Sequence, residues 1–254
     1  MTTPARIALI TGGSRGLGRS MAQGLAAHGV DVIFTYHSAE AEAASVVKQL
    51  EATGRKAVAL QLDVRTASGF PAFVEKLREV LTKRFDRTTL DILVNNAGTG
   101  MHAPFAETTE AQFDEMVNVH LKSTFFLTQK MLPLLADGSR ILNVSSGLAR
   151  FSMPGSSAYA TMKGGVETLT RYMARELAAR GIAVNVVAPG AIATDFGGGR
   201  VRDDAQVNKM VASLTAMGRA GLPEDIGPAV AALVSPELRW MTGQRIELSG
   251  GMLL

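Results

Sequence analysis

Tyr159 and Lys163 stand four residues apart in Tyr159-Ala-Thr-Met-Lys163, inside a stretch whose apolar spacing predicts a helix. Four residues is about one helical turn, so both side chains project from the same face. A tyrosine with its ordinary pKa near 10 is a poor base at neutral pH, and bringing it there takes on the order of 4 kcal/mol. An ammonium one turn away acts in that direction by favouring phenolate. Such a pair could give a proton to a carbonyl oxygen or take one from an alcohol. Chance alone yields a Tyr-x-x-x-Lys in roughly one chain in ten of this composition, so the pair needs support. Ser145-Ser146 follows an apolar run and offers a hydroxyl that could polarise a substrate oxygen. Taken alone it reads as an ordinary strand exit. The pleat turns Ser145 to the face opposite Ser146, so Ser145 is read as structural.

A second cluster lies near the start, in Thr11-Gly-Gly-Ser-Arg-Gly-Leu-Gly18. It follows an apolar run and opens a helical pattern, the context in which glycines let the backbone turn tightly and approach a pyrophosphate at the positive end of a helix. Its spacing, Gly12-x-x-x-Gly16-x-Gly18, differs from the G-x-G-x-x-G fingerprint.

Both clusters need a scaffold, and the hydropathy pattern supplies one. Short β-branched runs are predicted as strands at 6–11, 31–36, 57–62, 90–95, 140–145, 183–188 and 245–248, with amphipathic helices between them. Gly29 and Gly54 stand where left-handed helix caps belong. Strand–helix alternation with near-continuously apolar strands predicts an α/β fold: a single Rossmann-type, doubly wound domain over 1–254, with about seven parallel strands and helices on both faces. No linker or repeat divides it. The segment at about 193–217, with Phe196-Gly-Gly-Gly199, breaks the rhythm and is read as an irregular lid over a site, or else as a surface excursion.

The glycine string, with Ser146 thirteen residues before Tyr159 and Lys163 four after it, resembles the short-chain dehydrogenase/reductase family and its TGxxxGxG signature. The likeness covers essentially the whole chain; within the family it is nearest to 3-oxoacyl-carrier-protein reductases and related ketone reductases. It implies an oxidoreductase interconverting a carbonyl compound and its alcohol, with Ser146 binding the substrate oxygen, Tyr159 as acid/base and Lys163 also holding the nicotinamide ribose. It implies cofactor contacts through Gly12, Ser14, Arg15, Gly16, Leu17 and Gly18. Asp63 and Val64 would meet the adenine; Asn95, Ala97 and Gly98 would lie along the cofactor. Pro189, Gly190, Ile192 and Thr194 would meet the nicotinamide and pyrophosphate. Tyr36 stands where an NAD enzyme carries its acid, and Asp31 lies at the wrong end of the same strand. With no carboxylate to repel a 2′-phosphate, and with Arg15, His37 and Ser38 able to bind it, NADP(H) is preferred over NAD(H).

One position departs from the family. His120 stands where its asparagine would fall, and Asn118, two residues early, is rotated by about 200°. His120 either supports the proton relay, titrating near neutrality, or simply fills the asparagine's volume. A weakly catalytic NADP(H)-binding regulatory protein on the same scaffold is the alternative function.

A pocket wall of Met101, His102, Phe105, Phe151, Met153 and Phe196 suits a neutral carbonyl substrate. With 46% hydrophobic residues and a net charge of only +3, scattered rather than striped, the chain is expected to bind no nucleic acid. It lacks cysteine, an apolar membrane-length run and a signal-like start, so a cytoplasmic protein is expected. The histidines lack mutual ligand spacing, so no metal is expected. The resemblance implies a homo-oligomer, a tetramer or dimer, built on helices around 111–136 and 157–180 and on the C-terminal segment, whose apolar Met252-Leu-Leu254 could equally pack within the chain.

Overall fold

The computed structural model describes residues 5–254. Seven strands form one all-parallel sheet: β1 (Ile7–Ile10), β2 (Asp31–Tyr36), β3 (Ala57–Gln61), β4 (Leu90–Asn95), β5 (Leu135–Val144), β6 (Ala183–Pro189) and β7 (Arg245–Leu248). Their order is β3-β2-β1-β4-β5-β6-β7, so the direction in which successive strands are added reverses between β1 and β4 while all strands stay parallel.

Both faces are covered, which is why the strands read as continuous apolar runs. Alternate residues of β1 feed two cores. Ala8 and Ile10 pack with Val32 and Phe34 under helices α1 (Gly16–Ala27), α2 (Glu40–Glu51) and α9 (Pro223–Leu233). Ile7 and Leu9 pack with Ile33 and Leu93 against α3 (Phe70–Val80), α5 (Ser123–Met131) and α6 (Ser157–Glu176). A short α4 (Glu110–Met116) passes into α5 through a π-helical turn, Val117–Lys122. Gly29 and Gly54 adopt left-handed conformations, φ 78° and 79°, in the expected places.

Two boundaries differ from expectation. β5 begins at Leu135 rather than 140; Asp137-Gly138-Ser139 reads as a turn in sequence but is carried as an irregularity within the pairing to β4. The segment 193–217 is not irregular. After Gly197, Gly198 and Gly199, all left-handed, it forms α7 (Arg200–Asp203) and α8 (Ala205–Ser213), the latter capped by the Asp204 carboxylate on the amides of Gln206 and Val207. No helix among the described residues is long and apolar enough to cross a membrane.

Candidate active site

The loops leaving the C-terminal ends of the strands enclose a cleft of about 780 Å³ at the point where strand order reverses. Crevices at such switch points are where open α/β sheets bind ligands. The glycine loop forms one side. A Cβ on Gly18 would lie 2.0 Å from the Gly12 carbonyl oxygen, so only glycine lets the loop fold back on itself. Thr11 ties that loop to the exit of β4: its hydroxyl accepts the amides of Asn96 and Ala97, both at 2.9 Å. Asn96 donates its side-chain amide to the Thr11 and Gly12 carbonyls. No acidic residue stands in the first turn of α1, so its positive end is left for an anion.

Gly12, Ser14, Arg15, Gly16, Leu17, Gly18, Tyr36, His37, Ser38, Asp63, Val64, Ala97, Gly98, Pro189, Gly190, Ile192 and Thr194 all border this cleft. Asn95 does not. Its side chain is buried within the sheet, donating to Thr128 Oγ1 at 2.9 Å and Asn143 Oδ1 at 2.8 Å, and Asn143 continues the chain to Thr170 Oγ1 at 2.9 Å. Alternation along β4 turns Asn95 inward and delivers Asn96 to the cleft instead.

The end of the cleft beside β2 and β3 holds a cation that the spacing gave no reason to single out. Arg65 grips the Asp63 carboxylate through Nε at 2.9 Å and Nη2 at 2.8 Å, and donates to His37 Nε2 at 3.1 Å. These hydrogen bonds hold the Asp63 carboxyl down at about 2. Asp63 is therefore an ionised carboxylate already neutralised by its neighbour. No carboxylate stands at the end of β2, and Asp31, at its beginning, is occupied by the Lys56 amide at 2.9 Å. A glycine cradle, an unopposed helix N-terminus and the basic residues beside β2 and β3 fit a phosphorylated dinucleotide.

The other end carries the reactive groups. Tyr159 and Lys163 do share one face of α6, with the Lys163 ammonium 5.5 Å from the tyrosine ring centre. Both are buried. Lys163 Nζ donates to the Val144 carbonyl at 2.7 Å, and burial pulls its pKa down to about 7. Burial pushes the Tyr159 phenol up, with a hydrogen bond to Ser146 opposing the rise. The depression expected from the Lys163 spacing is thus not found in the protein itself: desolvation is the largest influence on Tyr159 and favours its neutral phenol. Ser146 leaves β5 in extended conformation, and its Oγ accepts the Leu148 amide at 3.2 Å, which leaves its own O–H to donate. Ser145 faces away, donating to Glu167 Oε1 at 2.7 Å.

His120 borders this corner too, fully buried. Its Nε2 lies 2.9 Å from the Thr99 carbonyl oxygen, which can only accept, so Nε2 carries the proton and Nδ1 is a bare acceptor with no protein partner. Burial, and secondarily the Lys163 charge, lower its pKa to about 3. Burial thus moves His120 titration well below neutrality, since no carboxylate offsets the buried imidazolium.

The apolar wall differs in part from expectation. Phe151, Met153 and Phe196 line it, joined by Leu148, Val201 and Met252. Met101, His102 and Phe105 do not: Phe105 points to solvent, and the His102 ring lies over Gly155. Met252 was invisible to local pattern because it reaches the cleft from the far end of the chain.

The family described as enoyl-(acyl carrier protein) reductase matches residues 12–253. A hydroxynaphthalene reductase-like protein of Metarhizium brunneum is 35% identical, the alignment covering 97% of this chain and 94% of that one. Among solved structures, the promiscuous reductase LugOII, which catalyses keto-reduction at C1 during lugdunomycin biosynthesis, is similar at TM-score 0.93 and 39% identity, covering 99% of both chains. The angucycline C-6 ketoreductase LanV with bound NADP is similar at TM-score 0.93 and 36% identity, covering 98% of this chain and 95% of that one.

Proposed function

Since the chain belongs to the short-chain dehydrogenase/reductase family and is an oxidoreductase, we propose that it reduces the keto group of a neutral, apolar, ring-containing compound at the expense of NADPH, with Tyr159 as the acid. The observation that carries this is the meeting of Ser146, Tyr159 and Lys163 in one buried corner of the cleft that also holds the glycine cradle.

The reduced nicotinamide supplies hydride when bound. The protein's part is proton supply and charge placement. Ser146 and Tyr159 offer two O–H donors to one carbonyl oxygen, at the place where negative charge develops. Burial keeps the phenol protonated until it is needed. Once the proton leaves, the nearby Lys163 ammonium stabilises the phenolate. His120 stays neutral; it fixes the Thr99 carbonyl and the Tyr159 ring rather than exchanging protons.

Arg15, His37, Ser38 and Arg65 at the adenosine end support NADP(H) over NAD(H). The similar LanV binds NADP. The wall of Leu148, Phe151, Met153, Phe196, Val201 and Met252 carries no charge, and the Phe196 ring lies 5.8 Å from that of Tyr159. That surface suits a flat aromatic or polycyclic ketone, the kind of compound named for the hydroxynaphthalene and angucycline enzymes it resembles. Exposed Phe125, Phe126 and Tyr172, on α5 and α6, support a dimer or tetramer through these helices.

The test is cofactor oxidation with a ketone panel that includes 1-tetralone and cyclohexanone, run with NADPH and NADH. Tyr159→Phe should lower turnover at least about 100-fold while leaving NADPH binding intact. Binding of NADPH without turnover of any ketone, or an unaffected Tyr159→Phe, overturns the reading in favour of a regulatory cofactor-binding role.

A further inference from the structure

Arg150 joins two parts of the cleft wall that lie about a hundred residues apart in sequence. Its guanidinium sits over the Phe151 ring, 5.6 Å from the centroid. It makes a forked pair with Glu247, Nε to Oε2 at 3.0 Å and Nη2 to Oε1 at 3.2 Å. It also donates to the Met252 carbonyl at 2.8 Å and the Leu253 carbonyl at 3.1 Å. Phe151 and Met252 both line the cleft.

The segment it grips is under backbone strain. Leu253 has φ 53°, a left-handed conformation that a leucine adopts only when its surroundings impose it. Two restraints impose it: the Arg150 bond, and the Leu253 amide donating to the Leu214 carbonyl just beyond α8 at 2.9 Å. Thr215 and Met252 form a bridge beside it, and Ala216 and Met217 donate to the carbonyls of Gly251 and Gly250. Segment 249–254 is thus strapped to the lid on one side and to the loop after Ser146 on the other. On that loop a Cβ on Gly147 would lie 2.7 Å from Phe151 Cε1, so the Phe151 ring rests on backbone adjacent to Ser146.

We propose that Arg150 is a specificity-determining positioning residue. It locks Phe151 and Met252 into one wall, and so sets the size and shape of the carbonyl compound admitted beside Ser146 and Tyr159. The planar five-donor fork is essential, because a carboxylate, two carbonyls and an aromatic face must be satisfied at once, which an ammonium cannot do. The proposal rests on the ketone-reductase reading for its substrate but not for its geometry.

Three measurements on Arg150→Met, Arg150→Lys and Met252→Ala separate the two. In Arg150→Met, hydrogen exchange should accelerate at the amides of Leu253, Ala216 and Met217 and stay unchanged in β1–β3. The KM for 1-tetralone should rise about tenfold and that for cyclohexanone less than twofold, with kcat little altered for either, and Met252→Ala should show the same size dependence. Arg150→Lys should recover only part of the loss. Calorimetric titration of 1-tetralone into the NADPH complex should show the same weakening. Unchanged exchange, equal KM shifts for both ketones, or a fall in kcat without a size dependence overturns the proposal. If the wild type turns over neither ketone, the reductase reading fails by itself. Calorimetry then decides: unchanged affinity in Arg150→Met, or no binding of 1-tetralone to the wild type, overturns the role of Arg150.

Discussion

The His120 imidazole meets the Tyr159 ring edge-on, with centroids 5.1 Å apart and planes at 90°. Gly98 makes room for it: a Cβ there would lie 2.9 Å from His120 Cε1. The histidine is therefore wedged between the backbone of the β4 exit and the Tyr159 ring, and is held by Thr99.

The lowered pKa of His120 has a consequence for stability. The folded-state pKa of about 3 lies below the free value of 6.5, so the unfolded chain takes up the proton first. The contribution of His120 to stability is complete above about pH 6.5 and is lost as pH falls toward 3. Denaturant unfolding between pH 4 and 7 should show this slope. His120→Asn, which cannot titrate, should flatten it relative to the wild type.

The wedge also predicts a compensating pair. Gly98→Ala should push the imidazole onto Tyr159 and lower kcat by about 10-fold or more, since small misplacements near reacting groups are costly. His120→Asn shortens the side chain facing that Cβ. The double variant should recover activity relative to Gly98→Ala alone, which steady-state kinetics of the two single variants and the double would reveal.

If the proposed reduction holds, Lys163 should set its pH dependence. Its pKa of about 7 means that the ammonium facing the departing phenol proton is present below that pH and lost above it. The kcat/KM for ketone reduction should fall as pH rises through about 7. Lys163→Arg should move the decline above the measurable range, and Lys163→Met should lower the rate throughout.

Cofactor preference is expected to depend on Arg65 as well as Arg15. In Arg65→Gln the Asp63 carboxylate loses its neutralising partner and stands exposed near a 2′-phosphate. The KM for NADPH should rise about tenfold and the KM for NADH should change little. A parallel loss for both cofactors would instead mark Arg65 as a loop support.

Asn95 should matter to folding and not to the cofactor. Asn95→Ala leaves Asn143 Oδ1 and Thr128 Oγ1 short of a buried donor, a loss of about 1–3 kcal/mol in unfolding free energy. NADPH affinity should stay near that of the wild type, in contrast to Gly18→Ala, which should abolish it.

Spacing along the chain was enough to determine the parallel α/β sheet and the shared face of Tyr159 and Lys163, because each depends on a helical or strand period; the glycine turn and Ser146 were singled out by the family resemblance. The same resemblance marked His120 as an exception. What those residues do electrically was decided only by tertiary structure, since burial is a property of the packed chain. Desolvation raises Tyr159 against the Ser146 hydrogen bond and lowers His120. The pleat of β4 turns Asn95 into the sheet, where its partners lie on β5 and α5. Arg65 and Met252 reach the cleft through a turn and a returning chain end, and neither leaves a period to read. Local order follows from the covalent sequence of side chains; the charge state and the shape of the cleft follow from which distant segments exclude water together.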